Sequence, residues 1–277
     1  MSDSKEFSFG DNSVAEGYDS ALVPVLFTPW AKKLVDENGP WQGRRVLDLA
    51  TGTGIVAQHL SEKVGPDGKV FGADINAEML TVAKKRCAGL TPEVTFVETP
   101  AHPLEFDSNS VDFVLCQQGF QFFPEKTAAA KEIYRVLSDG GQSVVTTWCP
   151  LDDCQFFGTM RDALNAVGEI ETAEMISVPF DMMPGDELVS HFNSAGFQNV
   201  KLERQEKDLI LEGGIEQAIK VPYSSPVGQM LKELPEDRQE IFNSKFAELL
   251  NELSDDGFNM GRMVSHVLSA TKPNGSA

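Results

Sequence analysis

The chain has 277 residues, 41% of them hydrophobic, which is enough for one large α/β domain or two small ones with a substantial core. A formal charge of −19 opposes phosphate backbones and anionic lipid surfaces, so nucleic acid is excluded as the expected partner; a saline habitat and a plain need for solubility explain the acidity equally well. No run approaches the roughly 20 uninterrupted apolar residues of a membrane span, and the start MSDSKEFSFGDNS is polar rather than basic and then apolar, so no signal peptide is read and a cytoplasmic protein is expected.

In chain order, residues 1–14 read as a flexible polar segment, residues 15–273 as a single domain with its core at 40–150, and 274–277 as a flexible tail. RVLDLA (45–50) is a near-continuous apolar strand, as expected for a strand covered by helices on both faces. GIVAQHLSEKV (54–64) has helical spacing of Ile55, Val56, Leu60 and Val64 and ends at the turn residues GPDG. KVFGADI (69–75) is the second strand, and Asn76 is placed to cap a helix over 77–87 whose basic end suits its dipole. VTFVE (94–98) and VDFVLCQ (111–117) are the third and fourth strands. A helix over 127–137 stops at SDGG, and QSVVTTW (142–148) is the fifth strand.

The region 150–186 reads as a helix at 155–167 followed by loop. A short helix at 186–197, an alternating strand at 199–211, a helical insertion at about 214–254 and a last strand within 257–273 complete the chain. Strands alternating with helices imply a doubly wound, Rossmann-like α/β fold. The four cysteines, Cys87, Cys116, Cys149 and Cys154, show no C-x-x-C pair and read as incidental thiols, and the histidines share no metal-ligand spacing, so no metal is expected.

VLDLATGTGIVAQHL (46–60) carries the chemistry. A strand that ends at Asp48 and turns through Ala50, Thr51, Gly52, Thr53 and Gly54 into a helix aims backbone N–H groups at a crevice suited to a nucleotide-like ligand. Asp74, 22 residues past Gly52 at the next strand's end, is placed to grip ribose hydroxyls. GTGIVA also satisfies the loose dinucleotide fingerprint, so the glycines do not separate a nicotinamide cofactor from S-adenosylmethionine. Asp48 does favour the latter, because a carboxylate there would repel a pyrophosphate yet can help hold an ammonium and a sulfonium. The patch CQQGFQFF (116–123) and a final strand in place of a second mononucleotide-binding half point the same way.

In VLDLATGTG (46–54), GADINAEML (72–80), LEFDSNSVDFVLCQQGFQFF (104–123) and EIYRVLSDGGQSVVTTW (132–148), the chain resembles class I S-adenosylmethionine-dependent methyltransferases. The resemblance is to the quinone-biosynthesis (UbiE/MenG-like) branch in particular. It implies a mostly parallel seven-stranded sheet with an antiparallel last strand and a helical lid, with S-adenosylmethionine as cofactor and S-adenosylhomocysteine as product. By the same resemblance the 50–54 turn holds the methionine part, Asp74 the ribose, and Ile75 and Met79 the adenine face. Pro100 and Ala101 lie at the adenine edge, Gln117 and Phe122 at the reactive end, and Tyr18 covers the cofactor from an N-terminal helix.

Two positions depart from the family. Ala50 stands where the first motif glycine is usual, and Pro100 stands where an acidic residue commonly bonds adenine. Proline offers neither a carboxylate nor an N–H, so either the main chain near Ala101 or Glu98 substitutes or the affinity is lower. Both departures keep open a cofactor-binding protein that no longer methylates, and an oxidoreductase is the other alternative.

Methyl transfer from a sulfonium needs alignment and exclusion of water more than a base. Where the acceptor must lose a proton, His102, His191, His266, Tyr134 and Tyr223 are the candidates by type, with His102 nearest the cofactor. The acceptor is expected to be a small, moderately apolar molecule, met by Gln118, Gln121, Tyr223 and the Phe- and Met-rich segments 150–185 and 214–254. The oligomeric state is not legible.

Overall fold

RVLDL forms strand β1 (Arg45–Leu49), and its last four residues are buried, as an apolar strand between two helical layers must be. This computed structural model describes residues 12–225 and 228–275. Strands β2 (Lys69–Asp74), β3 (Val94–Glu98), β4 (Val111–Gln117) and β5 (Leu137–Trp148) join β1 in parallel, whereas β7 (Asn259–Thr271) runs antiparallel to both β5 and β6 (Gln198–Ile210). The sheet order is β3-β2-β1-β4-β5-β7-β6, so strand order reverses between β1 and β4. A ligand crevice opens at that switch point, outside the strands' carboxyl ends.

Successive residues of each strand point to opposite faces and so feed two cores. Val46, Phe113, Leu115 and Val144 pack on one side with Trp41, Leu60 and Val64; helices α2 (Thr28–Asp36), α3 (Ile55–Val64) and α4 (Ala77–Arg86) belong to that side. Leu47, Leu49, Val114, Cys116 and Val145 pack on the other with Ile133 and Phe192, from α5 (Lys126–Val136) and α8 (Gly185–Ser194). Asn76 caps α4 as its sequence position predicts, accepting from the N–H groups of Glu78 and Met79 at 2.9 and 3.1 Å. Helix α1 (Asn12–Ala21) and a π-helical turn (Val23–Phe27) precede α2.

A third core belongs to the lid. Phe156 and Met160 of α6 (Gln155–Ala166), Ile176 and Phe180 of α7 (Ile170–Asp181), and Phe242, Phe246 and Leu250 of α11 (Glu236–Leu253) close on Trp30 and Trp148. Short helices α9 (Gly214–Ala218) and α10 (Gly228–Glu233) lie in the same insertion, joined by a 3-10 turn at Val221–Ser224.

Two expectations are corrected. The stretch read as loop after 167 contains α7, whose buried Ala173, Ile176 and Phe180 recur at helical spacing although Pro179 sits in its last turn. The fifth strand starts at Leu137 rather than 142, because SDGG does not break away: Gly140 donates to the Lys272 carbonyl and Lys272 to that of Gly141. Of the termini expected to be flexible, residues 1–11 and 276–277 lie outside the described residues, while α1 already includes 12–14 and Gly275 N–H donates to Asp139.

Candidate active site

The turn after β1 is built from left-handed backbone: φ is +57° at Ala50, +54° at Gly52 and +84° at Gly54. Its shape is fixed from below. Thr51 N–H donates to the Ala73 carbonyl and Gly54 N–H to the Thr51 carbonyl, both at 2.9 Å. A Cβ on Gly54 would stand 3.0 Å from that of Ala83, so glycine lets the turn settle against α4. A Cβ on Gly52 would meet nothing within 4 Å, which leaves open space above the turn.

Asp48, expected to face the ligand, is instead an internal brace, 1% exposed, with Oδ2 accepting from the Thr51 hydroxyl at 2.5 Å and from Ala57 N–H at 3.1 Å. Burial pushes its carboxyl up to about 7, against the pull of those two hydrogen bonds; the nearby Asp74 charge adds to the rise. The carboxyl group therefore holds the shape of the turn.

Asp74 closes the other side. Its Oδ2 accepts from Gly52 N–H at 2.8 Å and its Oδ1 from Asn76 N–H at 2.9 Å, joining the two strand ends that sequence spacing had related. Burial raises its pKa and the backbone donors oppose the rise. Ile75 beside it is 71% exposed, a large apolar side chain at the crevice mouth. Tyr18 of α1 lies close enough to Asp74 for the carboxylate to add to the upward shift that burial imposes on the phenol, and its ring is 5.2 Å from that of Phe27. Met79, expected against the adenine, is 4% exposed and packs with Ala15, Tyr18 and Val82 beneath α1.

Pro100 and Ala101, both half-buried, follow Thr99, whose N–H donates to the Asp74 carbonyl at 2.9 Å; His102 is exposed beyond them. This loop is pinned by α5. Glu132 accepts from Leu104 N–H at 2.7 Å, and Arg135 donates to the carbonyls of Leu104 and Phe106 at 3.0 and 2.7 Å.

At the end of β4, Gln117 donates to the Phe27 carbonyl at 3.3 Å and keeps a buried side-chain carbonyl without a protein partner. A Cβ on Gly119 would lie 2.5 Å from that of Ala50, so the turns after β1 and β4 touch. Phe122 is half-buried in the short 3-10 turn that follows.

Of the residues assigned to the acceptor, Gln118 and Gln121 turn inward. Gln118 donates to the Ser265 hydroxyl at 3.0 Å; Gln121, without exposure, donates to the Pro179 carbonyl at 2.6 Å and accepts from Trp148 N–H at 3.2 Å. Tyr223 donates to Asn243 at 3.0 Å within the insertion. His191 bonds Thr127 at 2.8 Å, His266 is buried on β7, and Tyr134 packs on Phe197 beneath the Lys272 ammonium; these three have structural neighbours. Among the described residues no group of three or more His, Cys, Asp or Glu could hold a metal, and the four cysteines are buried free thiols.

Sequence reading missed Arg86, which bonds the Thr53 carbonyl, Gln58 and Asp19. The basic run KKR (84–86) read only as a dipole-suited helix end, and nothing in its spacing singles out one cation.

The open space over Gly52, the exposed Ile75 and the half-buried Asp74 carboxylate fit a cationic, nucleoside-bearing ligand. Fold and site together define a class I S-adenosylmethionine-dependent methyltransferase. The chain belongs to the ubiE/COQ5 methyltransferase family, whose model matches residues 9–210. It is 31% identical over 205 residues to the ubiquinone/menaquinone biosynthesis C-methyltransferase UbiE of Pasteurella multocida, covering 68% of this chain and 76% of that protein. Against the enzyme of the same name from Stenotrophomonas maltophilia identity is 39% over 138 residues, and the match spans about half of each, 48% of this chain and 54% of that one. A phosphoethanolamine N-methyltransferase 2 of Haemonchus contortus, solved with S-adenosyl-L-methionine, superposes with a TM-score of 0.63 over 98% of this chain and 59% of that one; at 18% identity it shows the fold alone.

Proposed function

We propose that this protein methylates a small, moderately apolar acceptor by in-line transfer from S-adenosylmethionine, with a quinone-type ring as the first substrate class to test. The observation that carries this reading is the meeting of the 50–54 turn, Asp74 and Ile75 around open space at the β1/β4 switch point. The Pasteurella and Stenotrophomonas relatives, named as ubiquinone/menaquinone biosynthesis C-methyltransferases, suggest the acceptor class.

When bound, S-adenosylmethionine supplies a methyl group on a positively charged sulfur. The chain's own residues bind and align. The Asp74 carboxylate takes the ribose hydroxyls, Ile75 covers a face of the adenine, and Pro100 and Ala101 lie at its edge. The 50–54 turn and the main-chain carbonyl of Gln117 receive the amino-acid part. Water is excluded by a continuous aromatic wall: Tyr18 and Phe27 at 5.2 Å, Phe27 and Trp148 at 6.3 Å, Trp148 and Phe180 at 6.1 Å, Phe180 and Phe157 at 5.2 Å. That wall leads from the cofactor side to the lid, and it is where an apolar ring would pack. His102, exposed beside Ala101, is the candidate to take a proton from a phenol or a carbon acid. Action in the cytoplasm belongs to the same reading and accords with four free, buried cysteines; among the described residues no helix is long and apolar enough to cross a membrane.

Calorimetric titration with S-adenosylmethionine and S-adenosylhomocysteine, with NADH as control, tests the site. Micromolar binding of both sulfur compounds is expected, weakened by roughly 30-fold or more in Asp74→Ala, because a carboxylate that accepts ligand hydrogen bonds contributes about 2 kcal/mol or more. No binding by folded protein would sink the reading. Binding with no methylation of a quinone-precursor panel would favour a cofactor-binding protein without turnover.

A further inference from the structure

One side chain, Arg86, reaches from the cofactor turn to helix α1. Arg86, at the last position of α4, donates from Nε to the Thr53 carbonyl at 2.9 Å, from Nη1 to Gln58 Oε1 at 3.2 Å and from Nη2 to Asp19 Oδ1 at 2.6 Å. Thr53 lies between the two glycines of the turn, Gln58 in the first turns of α3, and Asp19 next to Tyr18 on α1. A guanidinium can serve three acceptors at once because its donors form a rigid planar fork. The Arg86 and Asp19 side chains are only 19% and 23% exposed, so their bond is shielded from solvent more than a surface pair, and it is a charge-assisted one.

Helix α1 packs on α4, on the π-helical turn and on the Val221–Ser224 segment of the insertion, so it bridges the cofactor half and the lid. Its Tyr18 packs on Met79 and Val82 of α4 and lies within electrostatic reach of Asp74. A ligand lying along Asp74 and Gly52 therefore has α1 as one wall, and the charged bond that fastens this wall to the turn is made by Arg86. By contrast, Lys85 and Glu16 form a neighbouring pair at 3.0 Å that is 66% and 60% exposed and reaches no part of the turn.

We propose that Arg86 is a positioning residue that latches α1 to the glycine turn through Asp19, holding Tyr18 over the occupied crevice and setting how slowly the cofactor leaves. The proposal rests on the reading of the crevice as an S-adenosylmethionine site. It assigns the latch to the closed state: breaking it speeds ligand departure and leaves entry as fast or faster, since the helix then lifts more readily.

The test is stopped-flow dissociation of S-adenosylhomocysteine from the full chain, with amide exchange of residues 15–22 measured in the free and bound protein. Asp19→Asn is expected to raise the dissociation rate about 10- to 100-fold, the range for losing one shielded charge-assisted bond, and to lower protection of 15–22 in both states. Arg86→Lys keeps a charge for Asp19 but lacks the fork, so it is expected to fall between wild type and Asp19→Asn. Glu16→Gln, the exposed neighbour, is expected to change the rate less than twofold, and thermal midpoints near wild type show that the variants are folded.

Wild-type release rate and unchanged protection in Asp19→Asn would overturn the latch while leaving the site reading intact. An equal effect from Glu16→Gln would overturn it too, by showing that any lost charge on α1 suffices. Failure of wild type to bind S-adenosylhomocysteine would overturn the site reading, and the latch with it.

Discussion

Ala50 shows how one position can satisfy a glycine's backbone without being glycine. At φ +57° its Cβ costs roughly 1 kcal/mol relative to glycine, and that Cβ fills the space over Gly119. Ala50→Gly is expected to change stability by less than about 1 kcal/mol, because relief of strain is offset by the looser unfolded chain. Gly119→Ala is expected to cost about 2 kcal/mol or more, since its Cβ would meet that of Ala50 at 2.5 Å, and part of this loss should return in the Ala50→Gly background. Urea unfolding of the double-mutant cycle checks both; strict additivity would refute the contact.

Asp48 gives a pH prediction of definite sign. Its folded pKa of about 7 lies above its ordinary value of 3.8, so folding takes up a proton between the two. Its favourable contribution is full below pH 4 and is lost as pH rises through 7. Asp48→Asn removes the titration, so on going from pH 5 to pH 8 the ligand-free variant is expected to gain roughly 2 kcal/mol relative to wild type by denaturant unfolding. A parallel pH dependence in the two proteins would show that Asp48 is not the group responsible. The position of Asp48 was legible in the sequence, but its orientation was not: the pattern places a carboxylate at a strand end, and only the packed α3 N-terminus shows that Ala57 and Thr51 occupy it.

Elements were most legible where one period dominates. β1, β2, β3 and β4 follow from apolar runs bounded by turn residues, and α4 from its cap. Helix α7 was missed because Gly168 and Pro179 bracket it like a loop, and what makes it a helix is burial of Ala173, Ile176 and Phe180 against the lid core. The loop after β3 shows the same dependence on a distant element. Its course is set by Glu132 and Arg135 of α5, which contact the main chain at Leu104 and Phe106. Arg135→Ala is expected to expose residues 100–107 to limited proteolysis and to weaken S-adenosylhomocysteine binding about 3- to 10-fold, a loss of roughly 1 kcal/mol as the adenine edge loses its fixed position. Unchanged affinity with a cleaved loop would remove Pro100 and Ala101 from the site.

For the molecule as a whole, a charge of −19 means that the folded state carries self-repulsion which salt screens. Raising NaCl from low concentration to about 0.5 M is expected to raise the thermal midpoint by several degrees, an effect near 1 kcal/mol. A falling midpoint would mean that ion pairs such as Arg45–Asp112 and Arg86–Asp19 outweigh the net repulsion. The amino-acid sequence by itself determined the alternation of strands and helices, the glycine turn, the spacing of Asp74 and the family, because these rest on local periodicity and on backbone conformations that few residues tolerate. Only the tertiary structure decided which side chains face the crevice. Gln121 lies wholly inside, Asp48 braces the turn, Met79 supports α1, and Arg86 joins three segments, because each has at least one partner 9 to 67 residues away, beyond the reach of any local pattern.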